Sequence, residues 1–528
     1  MTNRVTSDTP LRELLRAAAW LPEDGRRADR HEVADEADLG DGLRLVVTTA
    51  VGGPADGRRF LVPVRADADG RTAEAPGTEL FDRTCVRLAA AGARIPTARG
   101  GHVVFRGSGP APRTVRSRPF DRGWSSNSLS LLDLDGRPHL HKTYRSPGPE
   151  VQEPELLRLL DGGGHTPRWF GDYAYVPPGG GPPLPLGVVY AYTPGTGMDV
   201  PLRENLRALW PKLAAGAPAG PGALDDLVRA HLAPLAGTLT AARAFLGSFH
   251  EELRVRLGGG TPPAAYPVER VLDAAGARTA ALAARGRDEA ALPGPVLDAA
   301  FRTLDAEAAL LRAAFAARAE PVPAGPCHGD LHLSHLLTDP PRVIDVSTPA
   351  TGPDQPGWEE QSPLEDLVAL GRALEYFSAD EAADHSARLL GVDSTRTMLA
   401  TLDGGAGLSP AERATALLVS GAADAWRRRV AALLLGPAEA ADGGVDGEGA
   451  ADGGRPTAAG RPANGRPADG RPADGGEELR RLLHLRRLLH ELDYNFAHAR
   501  PYHAAIDLRH ALLLGRTPPL ARTLTTRI

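Results

Sequence analysis

Between residues 327 and 345 the chain sets two aspartates in surroundings that few folds provide. Cys327-His328-Gly329-Asp330-Leu331-His332-Leu333-Ser334-His335-Leu336-Leu337 is followed by Val343-Ile344-Asp345. The first aspartate follows a His-Gly pair, the second closes a short apolar run, and fifteen positions separate them. This layout suits ATP-dependent phosphoryl transfer to a small hydroxylated substrate. One carboxylate, Asp330, aligns and deprotonates the attacking hydroxyl, and the other, Asp345, carries a magnesium that bridges the phosphates. A surface turn beside an ordinary strand aspartate would look the same in isolation, so the upstream sequence has to decide.

It offers a lysine. Of the 60 basic residues only Lys142 and Lys212 are lysines; the rest are arginine. A lysine kept against that bias belongs where a compact ammonium fits and a planar guanidinium does not. Lys142 sits in an alternating stretch, 138–144, that reads as a strand. Residues 129–134 read as its partner, and Asp135-Gly136 between them is a hairpin turn signal. Before the hairpin, Trp124-Ser125-Ser126-Asn127-Ser128 forms a small polar loop able to fold over phosphates.

A kinase lysine also needs a carboxylate from the following helix. Residues 150–160 give an apolar helical face through Leu156, Leu157, Leu159 and Leu160, and both Glu153 and Glu155 can reach back. Glu155 is the favoured partner, because it falls inside the helical pattern while Pro154 suits the first turn. Residues 186–195 read as a buried strand entering a turn, the place of a hinge beside adenine, with Tyr190 and Tyr192 as the nucleotide-side residues.

These residues together resemble the maltokinase family of aminoglycoside-phosphotransferase-like kinases. Ser126-Asn127-Ser128 matches its phosphate loop, Lys142 its ATP lysine, and His328-Gly329-Asp330-Leu331-His332-Leu333 its catalytic loop. Ser362-Pro363-Leu364-Glu365-Asp366-Leu367 looks like its Ser-Pro-Leu-x-Asp-Val helix start. Glu491-Leu492-Asp493-Tyr494 and Ala497-His498-Ala499-Arg500-Pro501 resemble its C-terminal signature near the sugar. The similarity spans residues 1–435 and 477–520.

The resemblance implies an α+β, protein-kinase-like bilobal fold with an N-terminal α+β cap and a mainly helical C-lobe. It implies maltose as acceptor, giving maltose 1-phosphate for glucan synthesis, and extends to association with enzymes of glucan and trehalose metabolism. It places His332, Tyr494, Asn495 and Arg500 at the sugar, and makes His328 and Asp366 supports of the catalytic loop. Three departures stand out. His335 occupies the position of a Gln that serves as second metal ligand, and imidazole suits manganese better than magnesium. Asp-Phe-Glu-Gly becomes Asp345-Val346-Ser347-Thr348, and a Tyr-Glu pair becomes Tyr494-Asn495.

Composition limits the alternatives. With 42% hydrophobic and 24% charged residues the chain reads as ordinary globular material. A net charge of −6, without a basic cluster interleaved with aromatics, argues against nucleic acid. No apolar run reaches the ~18 residues of a membrane span. Met1-Thr2-Asn3-Arg4-Val5 lacks a signal-peptide core, and Cys85 and Cys327 are the only cysteines, so a cytoplasmic protein is expected.

The expected organisation is a cap at 1–110, a kinase N-lobe at 111–196, and a helical C-lobe at 197–528. Within the last, residues 436–476 form a Gly/Arg/Pro/Ala/Asp-rich insert whose composition predicts disorder. A helical apolar face resumes at Leu479, Leu482, Leu483, Leu485, Leu489, Leu492 and Phe496. Two other readings stay open. The acceptor could be an aminosugar, aminocyclitol or aminoglycoside, with Asp354, Glu359 and Glu360 facing its amine. Alternatively, the chain could be a degenerate kinase that binds nucleotide or sugar without turnover.

Overall fold

The structure is a computed structural model that describes residues 8–66, 72–120, 126–148, 151–216, 220–257, 264–286, 292, 294–346, 360–402, 407–436 and 476–514. The chain forms two compact units, residues 1–196 with 342–351, and residues 197–341 with 352–528. Most of the insert (437–475), the segment holding Asp354 and Glu359, and Ser125 lie outside the described residues.

The first unit opens with helices α1 (Asp8–Ala17) and α2 (Glu23–Arg26) and an antiparallel meander, β1 (Arg30–Gly40), β2 (Leu43–Val51), β3 (Arg59–Ala66) and β4 (Thr72–Glu74). Helix α3 (Glu79–Ala90) follows, its first turn capped by the Thr78 side chain, which accepts from the Phe81 amide. Phe81, Cys85 and Ala89 on its inner stripe are buried with Val103, Phe105 and Tyr173.

A seven-stranded antiparallel sheet comes next in the chain: β5 (Arg94–Pro96), β6 (His102–Gly107), β7 (Val115–Arg118), β8 (Ser128–Leu134), β9 (Arg137–Thr143), β10 (Trp169–Val176) and β11 (Leu184–Ala191). Its order is β5-β6-β10-β11-β9-β8-β7. The boundary expected at residue 110 falls inside this sheet, because β6 pairs with β10 and β5 pairs with β6. Asp135 and Gly136, at φ 50° and 84°, turn the β8–β9 hairpin as their sequence predicts. Helix α4 (Glu153–Leu159) lies between β9 and β10 in sequence.

The second unit is helical. It contains α5 (Asp199–Ala215), α6 (Pro221–Leu257), α7 (Val268–Gly286), α8 (Gly294–Ala316), a single 3₁₀ turn at Leu333–His335, and strand β12 (Leu336–Thr338). The chain passes through β13 (Pro341–Val343) and continues into α9 (Pro363–Leu390), α10 (Ser394–Ala400), α11 (Pro410–Leu435), α12 (Gly476–Ala497) and α13 (Pro501–Leu514). Helix α9 starts where the sequence places it, with Ser362 accepting from the Leu364 amide and Pro363 in the first turn.

The seven apolar residues expected on the face of α12 are all buried, in one core with Leu272 of α7, Phe301 and Leu304 of α8, and Ile506 and Leu508 of α13. The insert thus separates two stretches of a single core. No described helix is long and apolar enough to cross a membrane.

Candidate functional site

In the first unit the chemistry gathers around Lys142. Strand β9 is paired on both sides, with β8 and β11, so its side chains alternate strictly, and the Lys142 side chain is only 7% exposed. Its Nζ lies 2.7 Å from Glu153 Oε2 and also donates to Asp345 Oδ1. The Tyr144 hydroxyl donates to the same Glu153 oxygen at 2.6 Å.

The lysine's carboxylate partner is therefore Glu153, which corrects the expectation for Glu155. Helix α4 begins at Glu153, and two residues along a helix is about 200° of rotation, so only one of the two can face the strand. Glu155 instead pairs with Arg158 in solvent. Burial works against the Lys142 ammonium, but Glu153, Asp345 and Tyr190 outweigh it and hold the group protonated. Burial raises the Glu153 pKa, and Lys142 opposes that rise.

Asp345 reaches this cluster on the short return of the chain, tied down where the Val343 amide donates to the His165 carbonyl at 2.9 Å. Its φ of 54° is a left-handed conformation that few non-glycine residues adopt and that aspartate tolerates better than most. Its carboxylate is 41% exposed. Magnesium takes hard oxygen ligands, and a part-exposed carboxylate held beside an ammonium is the right kind of donor. Among the described residues no three His, Cys, Asp or Glu side chains group as a metal site.

The phosphate-loop residues are more committed than the sequence suggests. Ser128 Oγ accepts from Arg145 Nε at 2.8 Å, and Asn127 Oδ1 accepts from the Arg145 amide at 3.4 Å; Ser126 is exposed. Tyr190 is buried in β11, its phenol close enough to feel Glu153 and Lys142. The Tyr192 amide already donates to the Pro138 carbonyl at 3.0 Å, so it is not a spare hinge donor.

In the second unit a loop is built around Asp330. Asp366, fully buried at the start of α9, accepts from the amides of His328 at 2.7 Å and Gly329 at 2.9 Å and from His250 Nε2 at 2.8 Å. On the other side of the loop, the Met198 amide donates to the carbonyls of Leu333 at 3.0 Å and Leu336 at 2.9 Å. Gly197 has no side chain at a point where a Cβ would lie 2.8 Å from Ser334 Cα. The loop is held from two directions.

Asp330 itself has His332 Nε2 at 3.0 Å from Oδ1 and Arg487 at 4.0 Å. Burial would raise its pKa, but the hydrogen bond and charge of His332, with Arg487 and His335, hold it below the usual carboxylate range. His335 Nδ1 hydrogen-bonds the Asp330 carbonyl oxygen at 3.1 Å. As donor to a carbonyl, Nδ1 carries the hydrogen. Cys327, beside the loop, is buried against Gln361 with its thiol pKa pushed up, which makes it inert.

A cavity of about 510 Å³ opens beside this loop, within the second unit, and is lined by His332, Tyr494, Asn495 and Arg500. All four residues expected at the sugar thus share one wall system. Asn495 is buried and held by its Nδ2, which donates to the Tyr376 hydroxyl at 3.0 Å and Asp507 at 2.9 Å. Behind them Arg372, 1% exposed, joins Glu491 at 2.7 Å and Asp507 at 2.6 Å. Arg487, His250, Arg372 and Asp380 belong to this region and carry no motif; only an inward position on an otherwise apolar helix face could have marked them. Of the acidic residues considered for an amine, Glu360 is described, and it pairs with Arg270 at 2.6 Å.

Residues 199–353 match the model of the phosphotransferase enzyme family, APH. That stretch contains the Asp330 loop and Asp345. Two crystal structures of glucosamine kinase are similar over nearly the whole chain. One, in complex with glucosamine, ADP and inorganic phosphate, has 19% identity, covers 94% of this chain and 97% of its own, and gives a TM-score of 0.50. The other, crystal form B, has 19% identity, covers 95% of this chain and 99% of its own, and gives 0.51. The fold is kinase-like. No curated protein matches the sequence. The narrower assignment to maltokinases, implied by resemblance, is not reached by these comparisons.

Proposed function

We propose that the chain is an ATP-dependent phosphotransferase that moves the γ-phosphoryl group to a hydroxyl of a small sugar bound in the cavity beside Asp330. The observation that carries this reading is the Asp330 loop itself. A carboxylate is fixed by a buried aspartate with three donors, next to a cavity of ligand size. The phosphotransferase family match over the same residues supports it.

Each residue then has a task. Asp330 aligns the acceptor hydroxyl and receives its proton. Because its pKa is held low, it takes that proton late, as oxygen–phosphorus bonding develops, and acts mainly by orientation. Lys142, steered by Glu153 and Tyr144, supplies a fixed positive charge for the α- and β-phosphates. Asp345 would hold a divalent ion, whose chemistry when bound is to neutralise phosphate charge. Ser126, the exposed one of the three described loop residues, would meet the triphosphate.

Maltose, giving maltose 1-phosphate, is the acceptor the sequence resemblance implies, and an aminosugar is the second acceptor class. The test is ADP release from ATP over a panel of maltose, glucose, glucosamine and N-acetylglucosamine with magnesium or manganese. Asp330→Asn should lower kcat at least ~100-fold with nucleotide affinity unchanged. Activity with none of the sugars, or an Asp330→Asn variant retaining more than about a tenth of wild-type turnover, would reject the assignment.

A further inference from the structure

We propose that Asp380 is a specificity residue for an amine, and that the cavity beside Asp330 is built for an amine-bearing sugar whose ammonium pairs with this carboxylate. The inference rests on reading that cavity as the acceptor site.

The charged groups of the wall divide into committed and uncommitted. Glu491 is taken by Arg372 at 2.7 Å and by Arg487 at 2.9 Å. Arg203 is taken by Glu381 at 2.6 Å. Arg500 is exposed and lies over the Tyr494 ring at 5.1 Å. Asp380 is different. It lines the cavity, is half-buried, and accepts one hydrogen bond, from the Tyr502 hydroxyl at 2.8 Å.

Among the described residues no arginine or lysine pairs with it. Its neighbours make matters worse rather than better. Asp384 and Glu381 follow on the same helix and add negative charge, although Glu381 is itself neutralised by Arg203 and Arg207. The ring that faces it, His503, is pushed toward the neutral form by burial and by Arg500. Burial, followed by the two neighbouring acids, raises the Asp380 pKa against the Tyr502 bond.

A carboxylate withdrawn from water without a counter-charge is a standing cost in the empty protein, which a ligand cation removes. A sugar hydroxyl in the same place would supply one neutral hydrogen bond. An ammonium supplies a charge-assisted one, roughly twice as strong. The same cavity is lined by His332 and Arg487, the two groups that flank Asp330. A ligand that fills it therefore meets the Asp380 carboxylate and the neighbours of the reacting base together.

The test measures binding, so it does not depend on turnover. Calorimetric titrations of the full chain with glucosamine, N-acetylglucosamine and glucose compare one charged and two neutral ligands. Glucosamine should bind at least about tenfold more tightly than either neutral sugar, the size of one charge-assisted bond. Asp380→Asn keeps an oxygen for Tyr502 and should reduce that preference to within about twofold, on the same scale. Equal binding of the three sugars by the wild type, or an unchanged preference in Asp380→Asn, would overturn the proposal. If the variant fails to fold, the wild-type comparison of glucosamine with N-acetylglucosamine still decides. ADP release with the same sugars reports phosphoryl transfer separately, so loss of the kinase reading and loss of the amine reading give different results.

Discussion

Asp366→Asn changes one atom in a buried carboxylate and should cost both stability and turnover. Oδ2 accepts from His250 Nε2 at 2.8 Å and the His328 amide at 2.7 Å, while Oδ1 accepts from the Gly329 amide at 2.9 Å. An asparagine can keep its oxygen at the Oδ2 position, which retains two of the three bonds without their charge. Its NH₂ group then points at the Gly329 N–H, donor against donor. Losing the charge assistance costs about 1–2 kcal/mol, and a buried unsatisfied donor a further 1–3 kcal/mol or so, giving roughly 2–5 kcal/mol in all.

For a unit of this size that is a drop in Tm on the order of 5–15 °C. Turnover should suffer as well, because the amide released is that of Gly329, the residue immediately before Asp330. A misplacement on the order of 1 Å at the reacting carboxylate is worth up to ~100-fold in rate. Calorimetric melts with steady-state kinetics on the purified variant check both. Apparent KM for ATP should stay within about twofold, since this carboxylate acts on the base rather than the phosphates. A variant that melts within about 1 °C of wild type and keeps its kcat would refute the idea that Asp366 holds the loop, by the same Tm scale.

Three further outcomes are expected. Lys142→Arg should raise the KM for ATP and depress kcat, because a forked guanidinium does not fit between Glu153 and Asp345; Lys212→Arg, exposed on α5 beside His231, should be silent, and equal effects would strip Lys142 of its role. His335→Gln replaces a nitrogen donor by an oxygen and should lower the manganese-to-magnesium ratio of kcat, whereas an unchanged ratio would remove His335 from the metal. Asp380→Asn should leave the Tm of the ligand-free protein equal or higher near neutral pH. A carboxylate whose pKa is raised on folding costs stability when ionised, and that cost fades as pH falls through the raised pKa; a Tm that falls at pH 7 and does not recover in acid would mark the residue as structural.

Much of this was legible in the chain, and the failures have physical causes. The helix start at Ser362 was readable because capping chemistry is local. The β8–β9 turn was readable because Asp-Gly at two positive φ angles leaves one kind of hairpin. Strand β1, Arg30–Gly40, carries His31, Glu32, Asp35, Glu36 and Asp38 and shows two register shifts against β2, so neither hydrophobicity nor alternation announces it. The choice between Glu153 and Glu155 turned on the first residue of a seven-residue helix, the least certain feature of any sequence pattern. Residues such as His250 and Asp380 gain meaning only from what stands opposite them, which lies 116 residues away for the His250–Asp366 pair and 122 for the Asp380–Tyr502 pair.

The placement of α12 and α13 has a bearing on how the protein is made. Their leucines complete a core whose other walls, α7 and α8, are synthesised some two hundred residues earlier. During translation those walls leave the ribosome with their apolar faces unmatched, and they stay so until the low-complexity stretch has been read and the last two helices follow. A growing chain of this kind presents sticky surface for tens of seconds at ordinary elongation rates, which makes it a candidate client of holding chaperones. The same arrangement means that a stop codon in the repeats yields a product lacking part of its interior rather than a tail. It also offers a natural cut for a two-fragment protein: residues 1–436 and 476–528, expressed together, carry complementary halves of one hydrophobic interior.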